Sequence, residues 1–101
     1  MKFLFVYYGG AMATTPEAKK KSNDMWMGWF TKQGKAIADI GAAVKPGKMV
    51  GKTGAKAISG EMVTGYTVVT ADNLDAAVAI AKTSPNVAEG GSIGVYEIMP
   101  M

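Results

Sequence analysis

The sequence predicts a single α+β domain, a four-stranded antiparallel sheet with two helices on one face, in the order β-α-β-β-α-β. Three observations carry this. Residues 3–8, FLFVYY, are apolar at every position, as a strand near the middle of a sheet requires. Residues 65–82, GYTVVTADNLDAAVAIAK, change from a period of two to a helical period within one turn. The chain has 101 residues, 49% of them hydrophobic and none of them cysteine, so one core must form without disulfides.

Taken in order, residues 2–8 form the first strand, with Phe3, Phe5 and Tyr7 on one side and Leu4, Val6 and Tyr8 on the other. Gly9-Gly10 ends it. Thr15-Pro16-Glu17 is a helix start: a capping hydroxyl, proline in the first turn and an acid beside the free amides. Ser22-Asn23-Asp24 is a second start, so either one helix runs from 16 to 40 or the main helix begins at 24. Its stripe is Trp26, Phe30, Gln33, Ile37 and Ile40, with Trp29 and Ala36 beside it. Gly34 in the helix interior costs about 1 kcal/mol against alanine, and Gly41 is the expected C-cap.

Residues 42–64 hold four glycines, one proline and four lysines. A short polar strand around Lys48 to Lys52 suits an exposed edge, where lysine discourages further pairing. Tyr66, Val68 and Thr70 then alternate with Thr67 and Val69 in the third strand. Asp72 is the expected N-cap of the second helix, with Asp75 in its first turn and Leu74, Ala77, Val78 and Ala81 as its apolar stripe. Thr83-Ser84-Pro85 stops it, and SIGVYEI, 92–98, is the last strand. With two helices and four strands, the compact solution is the split βαβ, ferredoxin-like sheet, in which the first and third strands are central. One face of such a sheet stays uncovered, and the apolar residues on it predict a second copy packing sheet to sheet.

Composition excludes much chemistry. Without cysteine or histidine there is no thiol nucleophile, no Cys or His metal ligand and no Ser-His-Asp triad; neither a metal nor a cofactor is expected. Net charge is +3, with ten of eleven lysines in residues 1–56 against three acids there. Arginine, the planar fork that grips phosphates, is absent, so no nucleic-acid partner is expected and Lys19, Lys20 and Lys21 read as a solvated patch. FLFVYY is too short for a leader and no stretch reaches the ~20 apolar residues of a membrane span. The expectation is a cytoplasmic protein without a membrane partner.

GKTGAK, 51–56, imitates the end of a phosphate-binding loop, but residue 46 is proline where that loop needs glycine. The aromatic residues Tyr7, Tyr8, Trp26, Trp29, Phe30, Tyr66 and Tyr96 are mostly core by spacing, yet their N–H and O–H groups need partners that a cavity between sheet and first helix would provide. Asp39, embedded in AIADIGA, reads as a surface partner of Lys35 one helical turn earlier; its functional reading is a carboxylate at a pocket rim, usable as a base. Glu61 and Glu97 have no evident partner, and the eight methionines read as adaptable core filler.

MKFLFVYYGG, WMGWFTKQGKAIADIGA, GYTVVTADNLDAAVAIAK followed by Pro85, and GSIGVYEIMPM together resemble the YCII-related proteins. The resemblance covers most of the chain, least so residues 42–64. It implies a dimeric α+β barrel of ferredoxin-like type. Some members carry a His-Asp pair proposed as an active site; this chain has no histidine. Others carry Asp-Gly-Pro-Phe before the third strand, which AISGEMVTGY lacks. Asp39 alone falls where the family often has an acid.

The function expected is a homodimer that binds a small apolar or aromatic ligand between sheet and first helix, with Tyr8, Trp26, Trp29 and Tyr66 as binding residues. The alternative is a cofactor-free enzyme, an isomerase, lyase or monooxygenase-like protein acting on a small carbonyl or lactone compound, with Asp39 as catalytic base and Tyr8 or Tyr66 as donor. A third reading is an interaction module whose lysine-rich half meets an acidic partner.

Overall fold

The computed structural model describes residues 1–9, 14–60 and 62–100. Glu61 lies outside them. The elements are β1 (Lys2–Tyr8), α1 (Pro16–Gln33), a 3-10 turn (Gly34–Ala36), β2 (Ile37–Ala43), β3 (Lys48–Gly51), β4 (Gly54–Ala57), β5 (Val63–Thr70), α2 (Leu74–Lys82), α3 (Pro85–Ala88) and β6 (Ser92–Glu97). The main sheet is antiparallel with order β2-β5-β1-β6, which puts the two most apolar strands in the centre. This is the α+β, ferredoxin-like arrangement the sequence predicts, with a two-stranded β3–β4 hairpin added.

Alternation along β1 sorts its side chains between two environments. Phe3, Phe5 and Tyr7 are buried beside Trp29 of α1 and Ala77 and Ala81 of α2, forming the core with Val69 of β5. Burying each phenylalanine contributes roughly 1.5–3 kcal/mol. On the opposite face, Leu4, Val6 and Tyr8 are only half-buried. There Leu4 stands between Val68 and Tyr96, and Val6 between Tyr66 and Gly94. A Cβ on Gly94 would lie 2.8 Å from Tyr96 Cε2 and 3.3 Å from Tyr8 Cε2, so both rings lean over that glycine. Among the described residues no helix covers this face, and Tyr96 is 53% exposed.

Four expectations need correction. The first helix ends at Gln33, not at Ile40. Gly34 adopts a positive φ of 55° and its N–H donates to the Phe30 carbonyl, which closes the helix. Ile37 to Ala43 then extend as β2 and pair with β5. Long-range pairing has overridden a local helical stripe, and Ile37 still packs against the core. Second, Asp39 is therefore a strand residue, one helical turn from nothing, and its pairing with Lys35 falls away. Third, residues 48–51 do not form the sheet's edge strand; β2 holds that place, and β3 pairs with β4 across the Lys52-Thr53 turn in a separate two-stranded sheet. All residues of β3 and β4 are exposed. Fourth, Asn73 rather than Asp72 caps α2, its side chain accepting from the Ala76 amide at 2.8 Å. Beyond α2, Ser84 accepts from the Val87 amide and Pro85 opens the short α3.

Two hydrogen-bonded relays lock helices and strands together. Trp29 Nε1 donates to Thr83 Oγ1 at 2.8 Å, joining α1 to the end of α2, and Thr83 in turn donates to the Ile80 carbonyl at 2.7 Å. Tyr7 donates to Thr67 Oγ1 at 2.8 Å, and Thr67 donates to the Ile40 carbonyl at 3.0 Å, which ties β1, β5 and β2 in one chain of donors.

Candidate functional site

A cleft of about 540 Å³ opens between α1 and the β2–β5 side of the sheet. Helical spacing builds its first wall: Ser22, Asn23, Trp26 and Phe30 occupy successive turns of α1. The rings are organised. Tyr7 and Trp26 meet edge to face with centroids 5.0 Å apart, and Trp26 and Phe30 are tilted at 5.8 Å. Such pairs add about 0.5–1.5 kcal/mol beyond area burial and hold ring orientation.

An irregular stretch of β2 builds the second wall. The register with β5 shifts between Ile37 and Asp39 and again between Asp39 and Ala42. Asp39 Oδ1 accepts from the Gly41 amide at 2.9 Å, which fastens the bulge. Gly41 has φ 76°, and a Cβ there would overlap the Tyr66 carbonyl. Only glycine fits both constraints. The segment from Ile40 to Val44 thereby lines the cleft, together with Thr64 to Thr67 of β5. At the floor, Tyr7 is 6% exposed, and burial pushes its hydroxyl up to about 12 against the opposing effect of the Thr67 hydrogen bond. The phenol is thus neutral at physiological pH and acts as a fixed donor. Asn86 and Glu89 of the α3 region close the remaining side; Asn86 Nδ2 donates to the Ser92 carbonyl at 2.9 Å, which sets its orientation.

Of the residues named from the sequence, Trp26 lines this cleft with its ring, whereas Tyr66 borders it through its backbone, its carbonyl against Gly41 and its side chain on the opposite face beside Val6. Trp29 is buried behind Trp26, its ring edge to face with it at 5.9 Å and its N–H spent on Thr83. Tyr8 belongs to the opposite face of the sheet, beside Ser92 and Val63. Asp39 is exposed and outside the lining, engaged in the β2 bulge. Sequence reasoning missed Tyr7 and Thr67 as a pair, and Asn86 and Glu89 altogether. The alternation of β1 and β5 placed Tyr7 and Thr67 on separate strands but gave no register. Nothing local marks residues 85–89 as part of a site.

Among the described residues no group of three or more acids or other ligating side chains could hold a metal ion, and no helix is long and apolar enough to cross a membrane. With this geometry in place, comparison with known families is decisive for descent. The family described as YCII-related domain matches residues 1–101. The chain belongs to the YCII-related family. No curated protein and no solved structure matches it significantly. Membership accords with the ferredoxin-like sheet, and the departures remain: this YCII-related chain has no histidine for a His-Asp pair and no Asp-Gly-Pro-Phe segment.

Proposed function

We propose that this YCII-related protein binds a small apolar or aromatic molecule in the cleft between α1 and the sheet, as a cytoplasmic homodimer joined through the open sheet face. The observation that carries the binding reading is the cleft itself: about 540 Å³, walled by Trp26, Phe30 and Tyr7, with a neutral phenol at its floor. Ligand sites are mostly of ~300–1,000 Å³, apolar with a few placed polar groups. The dimer reading is supported by the half-buried Leu4, Val6 and Val68 and the exposed Tyr66 and Tyr96 on one uncovered face. At ~25 cal/mol per Å², about 600 Å² of apolar surface offsets a roughly 15 kcal/mol cost of association.

A cofactor-free enzyme with Asp39 as base finds no support in the position of that carboxylate, which faces water and holds the Gly41 amide.

The chain has two tryptophans, so Trp29→Phe leaves Trp26 as a lone reporter in the cleft, and Trp26→Phe leaves Trp29 behind it. Titration with toluene and with cyclohexanol is expected to change Trp26 emission saturably and to leave Trp29 emission in the second variant nearly constant. An unresponsive Trp26 in a folded protein contradicts the reading.

A further inference from the structure

The lining of the cleft has a charge bias that composition does not explain. The chain holds eleven lysines, and α1, which forms one wall, carries Lys19, Lys20, Lys21 and Lys32. Yet among the described residues no lysine lines the cleft, and the one acidic side chain in its lining is Glu89. The helix turns its lysines outward: Lys20 pairs with Asp24 in solvent at 3.9 Å, while Ser22, Trp26 and Phe30 face inward. Glu89 is half-buried one turn beyond Asn86.

Electron-rich ring faces attract a cation, most strongly tryptophan's. A carboxylate in a partly shielded recess attracts the same charge and repels an anion. The protein's overall positive charge opposes this only at long range, where physiological salt screens it. We propose that the cleft selects a small protonated amine with an aromatic or apolar body, its ring among Trp26 and Phe30 and its ammonium group toward Glu89. This narrows the ligand class of the binding reading above and rests on it.

Three probes that share one ring separate charge from shape: tryptamine is a cation at pH 7, indole is neutral and indole-3-acetate is an anion. By isothermal titration calorimetry, tryptamine is expected to bind about three- to ten-fold tighter than indole, with indole-3-acetate weakest. Glu89→Gln is expected to bring tryptamine to within about two-fold of indole, and Glu89→Lys to move indole-3-acetate ahead of tryptamine. Indole binding as tightly as tryptamine, or a preference that survives Glu89→Gln, overturns the inference while leaving the cleft reading intact. Failure of all three probes to bind overturns both.

Discussion

The Tyr7 hydroxyl donates to Thr67 Oγ1 at 2.8 Å, across 60 residues of sequence, and this bond forms the floor of the cleft. It joins the two central strands at the point where α1 lays Trp26 against the sheet. Tyr7→Phe removes the donor and leaves Thr67 still donating to Ile40. A loss of about 1 kcal/mol is expected in chemical denaturation, the ordinary net worth of one such bond.

The same residue predicts an alkaline effect. Tyr7 is raised from 10.0 to about 12 by burial. The folded protein therefore keeps a proton that the unfolded chain releases first, so stability falls as pH rises between those values. Spectrophotometric titration of the phenols is expected to show a step near 12 that Tyr7→Phe abolishes. In that variant the decline of stability above pH 10 should also be shallower.

Two glycines offer opposite outcomes from one substitution. Gly41→Ala forces a Cβ into the Tyr66 carbonyl at positive φ, and a loss of at least ~2 kcal/mol is expected, with the β2 bulge rearranged. Gly28, in the exposed middle of α1, has nothing within 4 Å of an added Cβ, so Gly28→Ala is expected to stabilise by about 0.5–1 kcal/mol. Paired thermal and denaturant curves check both.

The contrast between these glycines bears on what could be read from the chain alone. β1, β5 and α2 were legible because their signals are local: full apolarity, a period of two, and an apolar stripe behind capping residues. Residues 34–43 were misread because AIADIGA carries a helical stripe with Trp26 and Phe30 as well as strand potential. Only the positive φ of Gly34 and the pairing of Ile37, Asp39 and Ala42 with β5 decide it, and pairing is non-local. Asp39 moved from helix surface to strand bulge with that change. Trp26 could be placed near a cavity from spacing, whereas the Tyr7–Thr67 bond needed the register and Glu89 needed α3.

The β3–β4 hairpin stands apart from the main sheet with all its residues exposed, Val50 at 74%. Two strands alone are marginal in water. Hydrogen exchange is expected to be fast at the amides of 48–57 and slowest at Phe3, Phe5, Thr67 and Val69, with at least about a hundred-fold separation. Slow exchange in the hairpin would show that another surface covers it.

The open sheet face predicts an assembly. Sedimentation equilibrium at micromolar concentration is expected to give twice the 10.5 kDa chain mass. Val6→Asp places a charge between Tyr66 and Gly94 and is expected to give monomer or aggregate. A single unmodified species at the chain mass contradicts the assembly.

The cleft itself is tested most directly by amide chemical-shift mapping in solution with tryptamine as the ligand. The account predicts saturable shifts concentrated at Asn23, Trp26, Gly41, Thr67 and Glu89, with the Trp26 indole N–H among the largest and the amides of Leu4 and Tyr96 nearly unmoved. Shifts that scatter over the surface, or that gather at Leu4, Tyr8 and Tyr96 on the opposite face of the sheet, would contradict it.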